Sequence, residues 1–365
     1  MNKKNQPSFL GYLHSFRGFA IINIIFIHAF AYALFQYNNN SFDLKDPFYI
    51  SNELLFHNST VYFAVISGIL FSVVLKSKGY KRFYSSKLKN VLLPYLFLTL
   101  LFSIFNPIFN PPIFKPFALQ PDFISYLNAA FNNFIFGTAQ FPYWYIPILI
   151  FLYLVTPLLD YLMNIKKWGT LLMLVIIALP LAISRVEVMD MEEYQLSLST
   201  MIYFTGAYAA GIYFGVNPEK RFSWVKKNMV LFVLIALLSS VALVYFQIKE
   251  INKFGGWSLM SALYYIQKMC LSGIVIVLFK NIGDRQPHWL NPVASYAFVI
   301  YFLHAFFLDL LIESLLPLST LHEIAPLNLF FAGFLFLSLS IALSMLIGRI
   351  FKKLFGKFSK MLVGV

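Results

Sequence analysis

The sequence predicts an all-α polytopic membrane protein of about ten transmembrane helices with both termini cytoplasmic. Three observations carry that expectation. The first is composition: of 365 residues 59% are hydrophobic and 12% charged, with a mean hydropathy of +0.72. Soluble domains run at about 45–50% apolar and about 25% charged, so this chain cannot be wrapped around one aqueous core. The second is segmentation: the apolar residues fall into runs of roughly 18–23, the length that crosses the hydrocarbon core of a bilayer. The third is the placement of positive charge between those runs.

Taken in order, the expected spans are roughly 16–35, 58–75, 91–109, 143–163, 169–186, 198–216, 228–248, 258–279, 291–312 and 328–350, within one membrane-embedded domain over 1–365. The first follows a basic start, MNKKNQPSFLGYLHSFR, that is similar to a signal peptide. Its apolar run is too long for an h-region and no small-residue cleavage site closes it, so it is expected to remain as a span. Between the third and fourth spans, residues 107–142 form the longest connection, rich in proline and aromatics. Its part from Phe123 to Phe136 has moderate apolar content and is expected at the interface or dipping into the protein, over the outer mouth. No strong internal repeat accompanies these spans, so the inverted-repeat signature of many transporters is not visible.

Charge orients the spans. Of the 28 Lys and Arg, Lys45, Lys115, Arg185, Lys249 and Lys253 fall in the alternate segments assigned outside, Lys268 falls within a span, and all others fall inside. The acidic residues lean the other way: Glu187, Asp190, Glu192 and Glu193 share one outer loop, and Asp43, Asp46 and Glu53 share another. That bias places both termini inside. The net charge of +13 therefore reads as orientation and not as a nucleic-acid surface, because the basic residues punctuate spans without forming a soluble patch. The single cysteine, Cys270, excludes an intramolecular disulfide and a cysteine-based metal cluster. No metal site is expected.

Two polar residues in the first apolar run stand out, Arg17 and His28. They are eleven positions apart, about three helical turns, so they project from nearly the same face about 16 Å apart along the axis. Intramembrane ionisable residues are costly and mark sites or water-filled cavities. Imidazole is the side chain best suited to take a proton from a hydroxyl near neutral pH. Lys268 is a further intramembrane charge, expected to pair with Asp309 or an outer carboxylate, or to line the same cavity.

Beyond that run the sequence continues with VYFAVISGILFSVVL containing Ser67-Gly68, a basic inner loop leading into KLKNVLLPYL, YWYIPILIFLYLVTPLL with Trp144, and SYAFVIYFLHAFF with Tyr301 and His304. In order and spacing this series resembles the acyltransferase-3 family of integral membrane O-acyltransferases, over residues 9–350 or so. The most specific part is Arg17-Gly18 followed by His28. The resemblance implies that Arg17 and His28 are linked to activity, and that Ser67, Gly68, Trp144, Tyr301 and His304 match family positions. A pair of basic residues three apart often precedes the inner-loop proline; here those positions are Lys87 and Asn90, with Lys89 beside the missing charge. Lys87 and Lys89 are therefore the donor-binding candidates. Other members carry a fused extracytoplasmic hydrolase-like domain, which this chain, ending at Val365, is expected to lack. Other roles stay open for four of these residues. Ser67-Gly68 also reads as a close helix contact, Trp144 as part of an aromatic belt, and His304 as a structural hydrogen-bond donor.

The resemblance implies transfer of a short acyl group, most often acetyl, from cytoplasmic acyl-coenzyme A to a hydroxyl of an extracytoplasmic glycan or lipid-linked sugar, at a bacterial cytoplasmic membrane. The acyl-CoA is a substrate, and no permanently bound cofactor is expected. His28 is the expected general base and Arg17 the residue that orients the donor or stabilises charge on its side. Direct transfer and an acyl-enzyme on His28 or Ser67 both remain open. The alternative from another class is a transporter or flippase for a glycan or lipid-linked sugar, with Arg17, His28 and Lys268 lining its path.

Overall fold

The computed structural model describes residues 9–37, 45–106, 118–185, 197–251, 253–254, 257–315 and 326–365. Lys3, Lys4, Asp43, Lys115, the prolines at 107, 111, 112 and 116, and the acidic run Glu187–Glu193 lie outside them. The described chain is almost entirely helical; its strands are two short antiparallel ladders, Phe105–Asn106 with Ala118–Leu119 and Lys253–Phe254 with Trp257–Ser258.

In chain order the helices are α1 (Phe9–Tyr37), α2 (Pro47–Phe56), α3 (Thr60–Leu70), α4 (Tyr80–Lys87), α5 (Leu93–Phe102), α6 (Phe123–Phe136), α7 (Tyr145–Met163), α8 (Gly169–Ala178), α9 (Leu198–Val216), α10 (Pro218–Lys227), α11 (Met229–Ile248), α12 (Leu259–Ile282), α13 (Leu290–Ser295), α14 (Ala297–Leu315), α15 (Pro326–Phe355) and α16 (Ser359–Leu362). Each of the ten expected spans overlaps a helical segment among the described residues, but 91–109 is helical only as far as Phe102 before the Phe105–Asn106 strand. Six helical runs among the described residues are long and apolar enough to cross a membrane: Gly11–Leu34, Pro47–Lys78, Phe141–Met163, Met229–Ile248, Leu259–Ile282 and Leu329–Leu362. Shorter apolar helices cover Gly169–Leu181 and Ala297–Leu311. The chain is a multi-pass membrane protein.

The chain divides into two compact units: Met1–Ala20, Asn58–Ser85 and Ile148–Ser295 form the first, and Ile21–His57, Ser86–Pro147 and Tyr296–Val365 the second. In the first unit α3 packs along α9, and α11 along α12. The α3–α9 seam is made by glycine. A methyl group on Gly68 would run into the carbonyl oxygen of Tyr208, and one on Gly211 into that of Val65. The two backbones approach as closely as small residues permit, the means by which membrane helices associate without a hydrophobic driving force. The helix-contact reading of Gly68 is therefore correct for this residue.

Two prolines shape the helices around the site residues. Pro157 within α7 supplies no N–H for the carbonyl of Tyr153 four residues earlier. That carbonyl accepts the Tyr84 hydroxyl at 3.3 Å instead. Pro94 stands near the start of α5, and the chain just before it, Leu88–Leu92, winds as a π-turn in which the Leu93 N–H reaches the Leu88 carbonyl. Widening the turn ahead of a proline relieves the clash between its ring and the preceding carbonyls. A second π-turn, Phe71–Leu75, extends α3 toward Lys76–Lys78.

In the second unit α14 packs along α15, and α5 along α6. The expected interfacial segment Phe123–Phe136 is a helix with those bounds, N-capped by Asp122, whose carboxylate accepts the Ser125 N–H at 2.8 Å. The Tyr95 hydroxyl ties its far end down through the Phe134 carbonyl at 2.6 Å, and the Asn133 amide donates to Ser103 Oγ at 2.9 Å. Its other face stays apolar and exposed, with Phe123 at 70% and Phe131 at 67%.

Candidate active site

The residues singled out in sequence form two groups, one in each unit. In the first unit Arg17 lies on α1, within electrostatic reach of Tyr153 on α7, and the Tyr153 hydroxyl lies beside Ser67 of α3. Phe16 and Phe19, on either side of Arg17, place their rings 5.8 and 5.5 Å from that of Tyr62. Gly18 fits because the Leu290 side chain and carbonyl fill the space a methyl group would take, with Leu290 Cδ1 2.8 Å away. Arg17 is half-buried and Ser67 buried. Lys268 is fully buried on α12, with its ammonium 5.8 Å from the centre of the Tyr62 ring. In the second unit Asp309 accepts a hydrogen bond from Tyr32. Tyr153 and Tyr62 were not singled out in sequence. Among 22 tyrosines nothing local distinguishes the two that sit beside intramembrane cations.

In the second unit His28 of α1 meets α14 and the turn that precedes α7. Its ring centroid lies 5.4 Å from that of His304 and 5.3 Å, edge-on, from that of Phe141. Among the described residues His28 makes no hydrogen bond, and it is half-buried. His304 is fully buried, and its Nδ1 lies 3.0 and 2.8 Å from the carbonyl oxygens of Ile300 and Tyr301 on its own helix. Carbonyl oxygens only accept, so Nδ1 carries the proton and Nε2 presents a lone pair. That Nε2 is buried and has no partner among the described residues.

The turn Phe141–Trp144 is strapped to α14 at two points. Tyr301 donates its hydroxyl to the Pro142 carbonyl, and Tyr143 donates to the Phe302 carbonyl at 2.9 Å. Gly137, in the left-handed region at φ 71°, lets α6 end against the same turn; a methyl group there would stand 2.6 Å from Trp144 Cα. Trp144 is half-buried and follows the residue whose hydroxyl makes one strap, at the end of this turn. The structure thus brings His28, Trp144, Tyr301 and His304 onto adjoining elements.

Lys87 ends α4 half-buried, and Lys89 stands exposed on the π-turn ahead of Pro94. Asn90, at the position of the missing second charge, donates its amide to Ser86 Oγ at 3.1 Å. Lys76, from the same basic stretch, is taken up by Asp160 at 2.6 Å, and the Tyr80 hydroxyl holds the other carboxylate oxygen at 2.7 Å. Among the described residues no group of three or more His, Cys, Asp or Glu is placed to hold a metal ion.

Several long apolar helices, one of them carrying both Arg17 and His28, define a polytopic membrane protein. The family model described as "Acyltransferase domain" matches residues 10–349, nearly the whole chain, and the chain belongs to that acyltransferase-3 family. It is a membrane acyltransferase. No curated protein and no solved structure matches it.

Proposed function

We propose that this protein transfers a short acyl group, acetyl above all, from cytoplasmic acyl-CoA to a hydroxyl of an extracytoplasmic glycan or lipid-linked sugar. One observation carries the reading: His28, on a membrane helix, is held by ring contacts alone and spends neither nitrogen on a hydrogen bond to a described residue. A histidine kept for structure would be satisfied by its neighbours; one kept for proton transfer needs a free nitrogen. His28 takes the proton of the acceptor hydroxyl as its oxygen attacks the thioester carbonyl, and the imidazolium returns that proton to the departing CoA thiolate. Arg17 orients the donor or balances charge on its side. Lys87 and Lys89 contact the donor's phosphates as charge-assisted hydrogen-bond donors. With both termini cytoplasmic, those basic segments face the compartment that supplies the coenzyme. The family resemblance and the positive-inside bias favour a bacterial cytoplasmic membrane.

The test compares surface-glycan acylation by wild type, His28→Ala and Arg17→Ala, with expression and membrane insertion measured alongside. Loss of a general base costs about 10²–10⁴-fold, so His28→Ala is expected to fall by that much. Full acylation by well-inserted His28→Ala protein overturns the assignment. A variant that changes how much glycan reaches the surface, and not its substitution, would instead mark a transporter or flippase.

A further inference from the structure

Two polar side chains beside the His28 site carry unmet hydrogen-bonding capacity and have no role in the mechanism above. Asn52, on α2, is 6% exposed; its amide nitrogen donates to the carbonyl of Ile27, the residue before His28, at 3.1 Å. That bond fixes which way the amide faces, because its oxygen would be repelled by the carbonyl. Asn52 Oδ1 is consequently left buried with no partner among the described residues. Gln140, 7% exposed, directly precedes Phe141, whose ring edges His28. It occupies the N-cap position of the 141–144 turn yet makes no capping bond, and its Oε1 is likewise buried and unmatched. His304 Nε2 is a third such atom, a bare lone pair on a ring 5.4 Å from His28.

A buried acceptor left without a donor is destabilising, and native proteins leave few of them. Three come from three separate elements that all adjoin α1 at or beside His28, and all three are neutral acceptors. An anionic ligand group would be repelled by them, an apolar one would leave them unmet, and hydroxyl groups would satisfy them. We propose that Asn52 and Gln140, with His304, form the subsite that positions a neutral polyhydroxylated acceptor against His28. Asn52 and Gln140 are its positioning residues. The proposal rests on the acyltransferase reading only for the purpose of the subsite, not for its existence.

The test therefore has a binding arm and a transfer arm, on full-length protein in detergent or vesicles. In the first, emission of Trp144, isolated by comparison with Trp144→Phe, is titrated with methyl α-glucoside, with tetrahydropyran-2-methanol as a hydroxyl-poor isostere, and with glucuronate. Wild type is expected to bind the glucoside more tightly than both others. Asn52→Leu and Gln140→Leu should each weaken it about 3–10-fold, the worth of one neutral hydrogen bond. In the second arm, transfer from acetyl-CoA should show KM for the glucoside raised by the same factor, with kcat within about twofold and KM for acetyl-CoA unchanged. Asn52→Gln and Gln140→Asn, which keep the amide, should recover part of the affinity, whereas loss through misfolding would not be rescued. Equal binding of glucoside and isostere, unchanged affinity in both leucine variants, or no saturable glucoside binding by wild type overturns the subsite. Binding that behaves as expected without acyl transfer overturns the enzymatic reading and leaves the subsite standing.

Discussion

At the residue scale, the side chains around His28 show how much of a site is made by groups that do no chemistry. Tyr301 and Tyr143 exchange hydroxyl-to-carbonyl bonds between α14 and the 141–144 turn, so the Phe141 ring is held against His28 by two straps. Tyr301→Phe removes one donor and strands the Pro142 carbonyl. The expected loss is about 1–3 kcal/mol for an unmet buried acceptor, read as a lower unfolding temperature in detergent, with activity reduced and not abolished. A Tyr301→Phe protein as inactive as His28→Ala would give the hydroxyl a direct part in the reaction. The His304 tautomer is set in the same indirect way, by two carbonyls of its own helix.

At the scale of elements, glycine and an acidic cap decide where helices stop and how closely they pass. Gly137→Ala forces a β-carbon into the left-handed region, at about 1–2 kcal/mol, and into the backbone of the turn that carries Trp144. It is expected to destabilise more than Gly356→Ala, where φ is also positive but nothing lies within 4 Å of the added carbon; paired thermal melts decide. The cap of α6 titrates. The Ser125 N–H and hydroxyl bonds hold the exposed Asp122 carboxyl below the usual carboxylate range. A depressed folded-state value means the cap stabilises above the unfolded-state value and is lost as pH falls through the folded one. Amide protection in the first turn of α6, referenced to the intrinsic exchange rate at each pH, should therefore fall on acidification into that range, and in Asp122→Asn the protection should lose that pH dependence.

For the whole molecule, the orientation argued from charge is open to direct measurement because the chain has a single cysteine, Cys270, which is buried. In a Cys270→Ala background, Lys249→Cys is expected to react with a membrane-impermeant maleimide added outside intact cells. Lys89→Cys and Lys357→Cys should react only after permeabilisation. Labelling of Lys89→Cys from outside would invert the topology and detach the basic segments from the coenzyme's compartment. The close α3–α9 seam belongs to this scale too: Gly211→Val should lower the yield of folded protein, since two backbones, and not movable side chains, bound the space.

How much of this was legible in the sequence follows from which interactions are local. Composition and the length of apolar runs determined a helical membrane protein, because a backbone in lipid must satisfy its own hydrogen bonds within the segment. The segment Phe123–Phe136 stood out by its moderate apolar content, and Ser67-Gly68 as a place where helices could pass closely, though which helix passes there did not. Arg17 and His28 stood out because an ionisable group in an apolar run is conspicuous by its cost. Tyr153, Asn52 and Gln140 did not. Tyr153 is one of 22 tyrosines, and Asn52 and Gln140 sit in segments where polar residues are ordinary. Only the tertiary structure sets Tyr153 beside Arg17 and Ser67, places Asn52 on the carbonyl before His28, brings His304 to its ring, and joins Tyr32 to Asp309. Pairings between distant residues are chosen by how helices pack, and packing depends on every side chain along the seam at once, which no local pattern records.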